Sequence, residues 1–232
     1  MHTIALVWLP VAANGDEHWP KRADGIHPRG DRRKNRYSRH DMAHARCEQC
    51  GNQTPPWDTI HCSSGDGRFE LLCTPCFNAR IAESTGFIEF ENVQLDPIQL
   101  IDCAGEAHRF HFQLRLLGDR IALDGFELRE ELPVGYRFQL IGEADEDVFV
   151  LLGRLVEKIR RALSVRHIDS HERRIIDSTV RGRIEWDESQ PGHLPLVVVD
   201  GKEVSWDDLG RMLMSMEGWQ FRLEIVDPSD EL

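Results

Sequence analysis

An α+β fold is predicted by three features of this sequence. Two Cys-x-x-Cys pairs, Cys47/Cys50 and Cys73/Cys76, stand 22 residues apart in the first third of the chain. After them come several segments in which apolar and polar residues alternate, the period of half-buried antiparallel strands. Among these lie two segments with apolar residues at helical spacing, residues 146–167 and the run that starts at Ser205. The expected architecture is a small cysteine-rich finger followed by a mostly antiparallel sheet with two helices.

Cys47, Cys50, Cys73 and Cys76 have the spacing of a four-thiolate zinc site. Two intervening residues let one tight turn aim two sulfurs at a point about 2.3 Å from each. Gly51 follows the first pair, where a knuckle needs a positive φ. The second pair opens a helical run from Pro75 to Glu83, so backbone N–H groups lie near its sulfurs and stabilise thiolate charge. Phe77, Ile81 and Ala82 fall on one side of that run, and Gly86 closes it. Between the pairs, Thr59, Ile60 and Cys62 lead into Ser64-Gly65-Asp66-Gly67, a turn signal, and Phe69, Leu71 and Leu72 return. Knuckle, hairpin, then ligands at a helix start is the order of a treble-clef finger. The expectation is one structural zinc, because a shell closed by four thiolates has no position for water or substrate. A disulfide or a redox pair is the competing reading. His61 and Cys62 would serve only as substitute ligands, and Cys103 reads as a small buried hydrophobe.

At 232 residues the chain has room for one large domain or two small ones. No run approaches the ~20 apolar residues of a spanning helix. Ile4 to Leu9 is short, ends at Pro10 and has no Lys or Arg before it, so neither a signal peptide nor membrane association is expected. Cysteines in metal-type pairs point to a reducing cytoplasm. The net charge of −12 is uneven: residues 1–46 carry nine Lys/Arg and five Asp/Glu, the remainder 19 and 35. Residues 1–41 lack apolar periodicity and are expected to be a disordered basic leader, with Met42 an alternative start. Residues 42–90 are expected to form the finger, and residues 91–232 an α+β domain. The acidic body repels nucleic acid, so any nucleic-acid contact would run through the leader or finger.

Along the second part, Ile98 to Cys103, Phe110 to Leu116, Ile121 to Leu128 and Tyr136 to Leu140 read as a meander of about four strands. The long helix, Glu146 to His167, is expected to bury Val148, Leu152, Leu155, Ile159 and Ala162, widened by Phe149, Val156 and Leu163. Ser170 to Thr179 reads as a loop. Arg181 to Trp186 and Leu194 to Val199 read as strands, and Asp200-Gly201 as a two-residue hairpin turn into Lys202-Glu203-Val204. Ser205 and Asp208 resemble a capping box for a helix that turns Trp206, Leu209, Leu213 and Met216 inward. Trp219, Phe221, Leu223 and Ile225 alternate as a last strand.

These stretches carry a resemblance. Cys-Glu-Gln-Cys-Gly at 47–51, Leu-Cys-Thr-Pro-Cys-Phe-Asn at 72–78 and the helical run at 145–163 are similar to uncharacterised bacterial proteins. So are Arg-Gly-Arg-Ile-Glu-Trp at 181–186 and the segment at 200–213. Those proteins join an N-terminal treble-clef finger to an α+β domain of unknown function. The resemblance covers roughly residues 45–227 and implies zinc at the four cysteines, with no activity to transfer.

The function expected is therefore that of a zinc-binding, non-catalytic interaction protein with a protein partner. One alternative is a nucleic-acid-binding protein or degenerate treble-clef nuclease. Treble-clef nucleases, which the segment Leu-Cys-Thr-Pro-Cys-Phe-Asn resembles, also need an Asp-His pair and a second His or Asn in the hairpin, and here Asp58 and His61 are separated. A second alternative is an enzyme with a pocket on the C-terminal sheet. His167 and His171 would share a helix face if the long helix persisted, whereas His108 and His111 point to opposite faces of a strand. Arg154, Lys158 and Arg161 read as a solvated basic stripe, and Met212, Met214 and Met216 as core packing rather than a partner groove. No phosphate loop, nucleophile elbow or dinucleotide fingerprint is found.

Overall fold

The computed structural model describes residues 45–64, 68–87, 90–129, 132–186 and 194–230. The expected leader, 1–41, and the Gly65–Gly67 turn lie outside them. The chain divides into two compact units, residues 1–72 and 73–232.

In the first unit, β1 (Ala45–Arg46) pairs antiparallel with β2 (Gln53–Thr54) around the first cysteine pair. Gly51 sits at φ 75° and donates its N–H to the Cys47 carbonyl at 2.8 Å, closing the knuckle. A 3-10 turn at Pro56–Asp58 leads into β3 (Thr59–Ser64), which pairs with β4 (Arg68–Cys73). Glu48 fastens the knuckle to β4 twice. Its N–H donates to the Leu71 carbonyl at 2.8 Å, and its carboxylate accepts from the Leu71 N–H at 3.1 Å.

The second unit begins with α1 (Thr74–Thr85), which has Cys73 as N-cap, Pro75 in its first turn and Gly86 at φ 83° closing it. It buries Phe77, Ile81 and Ala82, as their spacing requires, and also Asn78. A four-stranded antiparallel meander follows in the order β5 (Ile98–Ile101), β6 (Ala107–Leu117), β7 (Arg120–Arg129), β8 (Leu132–Glu143). Phe110, Phe112, Leu114 and Leu116 are buried in alternation on β6. They stand beside Ile121 and Leu123 of β7, and Leu140 of β8 completes the row. α2 (Val148–Leu163) covers this face with Leu151, Leu155, Ile159 and Leu163. It approaches so closely that a Cβ on Gly125 would stand 3.2 Å from Leu155.

A second small core belongs to the C-terminal third. β9 (Ile168–Asp169) pairs with β10 (Arg174–Ile175). β11 (Gly182–Trp186), β12 (Pro195–Val199) and β13 (Lys202–Ser205) form a three-stranded antiparallel sheet. α3 (Trp206–Leu213) follows, with a 3-10 turn at Met214–Met216. Ile168, Ile175, Val197, Val199, Val204 and Met212 make the core. Asp200 and Gly201 both have positive φ, 50° and 68°, the backbone of a two-residue hairpin turn.

Several expectations are corrected. α2 ends at Leu163, four residues before His167, where the Ser164 N–H and hydroxyl both turn back onto the last helical carbonyls. Its buried stripe runs through Leu151 rather than Val148 and Leu152, and Phe149 is exposed. Lys158 is buried, not solvated, because its ammonium donates to three carbonyls, those of Gln139, Pro228 and Asp230. Cys103 is exposed, because β5 stops at Ile101 and the Asp102 carboxylate makes a turn. Residues 170–179 contain β10 rather than only loop. On α3, Trp206 and Leu213 face outward and Met212 inward. The strand expected at Trp219–Ile225 is absent: residues 219–227 have no secondary structure and their apolar side chains are exposed. Alternation makes a segment fit for a sheet, but a strand needs a neighbour to bond.

Candidate metal centres

The four cysteines come together as their spacing requires. Cys47 and Cys50 flank the knuckle, Cys73 caps α1 and Cys76 lies in its first turn. One sulfur from each lies within 4.8 Å of all the others. A tetrahedron of bonds about 2.3 Å long has edges of about 3.8 Å, so this cluster can close on one ion. Four sulfur donors suit zinc among divalent ions, and Cys73 and Cys76 sit at the positive N-terminal end of α1. None of the six cysteines is in a disulfide.

His61 and Cys62 lie on β3 outside this group. The possible His167/His171 pair dissolves with the end of α2. The His167 ring is instead 3.0 Å from the Thr179 carbonyl, and neither histidine joins a ligand cluster among the described residues.

A second cluster went unnoticed in the sequence. The apolar row of β6 extends back from Phe110 to His108, whose side chain is only 11% exposed. On β7 the residue opposite Phe110 is Glu127, so the same face ends in a histidine and a buried carboxylate. His108 Nδ1 lies 2.6 Å from Glu127 Oε1. The other Glu127 oxygen accepts the Tyr136 N–H at 3.0 Å. A Cβ on Gly135, itself at φ 79°, would stand 2.3 Å from that oxygen, so the carboxylate is pressed onto backbone that only glycine can form. His108 Nε2 is buried and without a hydrogen bond among the described residues; Asp102 Oδ2 is 3.6 Å away. The other Asp102 oxygen accepts the Ala104 and Glu106 N–H groups, both at 2.8 Å. Arg166 reaches Asp102 at 3.4 Å and Glu106 at 3.8 Å.

A pocket opens over this group. It is lined by Tyr136 and Arg166 and by the Asp200-Gly201 turn, besides the residues just named. Asp200 holds the turn in place by accepting the His167 and Ile168 N–H groups at 2.8 and 2.9 Å. Burial works to raise the Asp102 pKa, but the hydrogen bonds from the Glu106 and Ala104 N–H groups, with the nearby His108 ring, outweigh it and hold the carboxyl below its ordinary value. Burial, and then the charges of Asp200, Asp102 and Glu127, push the Tyr136 hydroxyl up. The sequence did contain part of the signal, a histidine that extends the apolar row of β6 on the same face; the glutamate opposite Phe110 is brought there by strand register.

Three family descriptions match the chain in succession. Each is a domain of unknown function: DUF7685 over residues 46–87, DUF7686 over 91–164 and DUF7713 over 164–230. The four cysteines fall within the first match. The pocket draws Asp102, Glu106, His108, Glu127 and Tyr136 from the second, and Arg166 and Asp200 from the third. No curated protein and no solved structure matches the chain. No described helix is long and apolar enough to cross a membrane.

Proposed function

We propose that this is a zinc-stabilised interaction protein without catalysis, working in the reducing cytoplasm. In this reading residues 42–90 are a treble-clef finger that holds one structural zinc on Cys47, Cys50, Cys73 and Cys76. Residues 91–232 are the α+β domain that presents the binding surface. The partner is protein, and specifically a second copy of the same chain.

The observation that carries the reading is the strap at 219–226. It is fixed at both ends. Upstream, the Trp219 N–H donates to the Met216 carbonyl, and Met216 packs on the C-terminal core. Downstream, buried Lys158 holds the carbonyls of Pro228 and Asp230. Between these anchors Trp219, Phe221, Leu223 and Ile225 are 71, 88, 73 and 73% exposed. A tethered apolar segment with no strand paired to it among the described residues is a template for strand addition. The segment is also self-complementary. Paired antiparallel with itself about Leu223, it sets Phe221 against Ile225, and Arg222 of each copy against Glu224 of the other.

Sedimentation velocity across a concentration series tests this. The wild-type chain should dimerise, and Leu223→Arg should be monomeric with its fold intact by circular dichroism. Arg222→Glu should weaken the dimer, and adding Glu224→Arg should restore it. A wild-type chain that remains monomeric throughout contradicts the second copy as partner.

A further inference from the structure

We propose that Asp102, Glu106 and His108 form a second metal site, one that takes an exchangeable divalent first-row cation, such as Mn²⁺ or Zn²⁺, through oxygen and nitrogen donors. This site does not depend on the thiolate cluster: it lies on other residues and has a different donor set.

The argument starts from the proton on His108. Glu127 is an acceptor fixed in place by the Tyr136 N–H and by the close backbone at Gly135. At 2.6 Å from Nδ1 it draws the ring proton of a neutral imidazole to that nitrogen. Nε2 then presents a lone pair, in a buried position without a hydrogen-bond partner among the described residues. What it faces is another acceptor, Asp102 Oδ2, at 3.6 Å. A lone pair opposite a carboxylate, both shielded from water, is unfavourable unless something positive lies between them.

Arg166 donates to Asp102 Oδ2 at 3.4 Å and approaches the Glu106 carboxylate at 3.8 Å, but it forms no hydrogen bond with Nε2, whose lone pair it leaves unmatched. Ligand atoms of Asp102, Glu106 and His108 all lie within 4.8 Å of one another. Bonds of about 2.0–2.2 Å from nitrogen and oxygen to a common ion need no larger spread. The carboxylates lining the pocket, Asp102, Glu106, Glu127 and Asp200, outnumber its cations, Arg166 and Lys202.

The surroundings repeat the arrangement of histidine-ligated metals, in which the second ring nitrogen donates to a carboxylate that sets tautomer and ring orientation. Glu127 has that role here. Asp102 is aimed by the two N–H groups that occupy its other oxygen. Three protein ligands leave coordination positions open to the pocket, in contrast to the closed thiolate shell. One imidazole with two carboxylates favours harder ions than four thiolates do.

The competing occupant is a proton. His108 as an imidazolium between Asp102 and Glu127 would satisfy the same geometry, and the two cases separate experimentally. Zinc-loaded, full-length protein is titrated with Mn²⁺ while electron paramagnetic resonance follows free Mn²⁺. One equivalent should bind per chain with the zinc content unchanged. Exposed Glu106→Gln, a mild substitution for folding, should weaken that binding at least tenfold, and Glu127→Gln about 10–100-fold. In parallel, long-range proton–nitrogen correlation spectra report the His108 ring. Without added metal, Nδ1 should be protonated and Nε2 bare; excess Zn²⁺ should shift Nε2 alone. Two protonated ring nitrogens that ignore excess Zn²⁺, or Mn²⁺ binding unchanged in Glu106→Gln and Glu127→Gln, would overturn the proposal. Neither result bears on the four cysteines, whose metal is followed separately through the zinc content.

Discussion

Asn78 shows how much one side chain can decide. β5 pairs with β6 only as far as Phe110, and no other described strand pairs with the rest of that edge of β6. The carboxamide of Asn78, 1% exposed, takes the place of one: it accepts the Leu116 N–H at 2.8 Å and donates to the Leu114 carbonyl at 2.9 Å. It also donates to Asn92 at 2.8 Å, while Gln113 donates to Thr74 at 2.7 Å, so α1 is bolted to β6 by polar contacts as well as by Phe77 and Ile81. Asn78→Ala would leave the Leu116 N–H and Leu114 carbonyl unpaired in the interior, at about 1–3 kcal/mol for each stranded group. Urea unfolding should show the midpoint falling accordingly; an unchanged midpoint would mean that water replaces the amide. None of this was legible beforehand. An asparagine on a helix beside Phe77 gives no hint that it faces a bare strand edge, because the edge exists only once β5 stops short.

His111, also on β6, allows a test by pH. Burial, and then the neighbouring Arg109 charge, hold its imidazole pKa below the ordinary value. The unfolded chain therefore binds the proton more readily. The stability contributed by neutral His111 is fully present above the ordinary imidazole pKa of about 6.5 and is lost as pH falls through the lower, folded-state value. Stability should rise with pH across that window more steeply in the wild type than in His111→Gln. Parallel curves from chemical denaturation at several pH values would refute this assignment.

At the scale of elements, local patterns were read correctly wherever local chemistry decides. The four-strand meander, the Asp200-Gly201 turn and the start of α3 all stand where the sequence placed them. Ser205 caps α3 by accepting the Asp208 N–H at 3.1 Å and donates its own hydroxyl to the Asp208 carboxylate. Ser205→Ala should cost about 0.5–2 kcal/mol, seen as a lower thermal midpoint, and Ser205→Asp should recover most of it. Faces were read less well. On α2 and α3 apolar residues surround so much of the helix that spacing permits several stripes, and the partner surface selects one: Leu151 over Leu152, Met212 over Leu213. Lys158 was missed because a lysine beside arginines looks solvated, and the carbonyls that bury it arrive from residues 228 and 230. The last strand failed for a related reason. Its alternation is genuine, but no described strand pairs with it.

At the scale of the molecule, the cysteines were legible because metal spacing is set by covalent reach, whereas the His108 cluster is assembled by register. Phe110 must pair with Glu127 before histidine and carboxylate meet, and Arg166 and Asp200 join from a separate family match. A metal held by the four cysteines would account for how a unit as slight as β1 to β4 keeps its form. Its strands are short, and a core this small normally depends on a staple. The central claim is that this staple is one tightly held zinc on Cys47, Cys50, Cys73 and Cys76. It is tested most directly by metal analysis of freshly reduced protein after dialysis against a weak chelator, which removes ions from open sites. The account predicts one zinc per chain in the wild type and none in Cys47→Ser or Cys76→Ser. Wild-type protein without zinc, or with iron in its place, would contradict it.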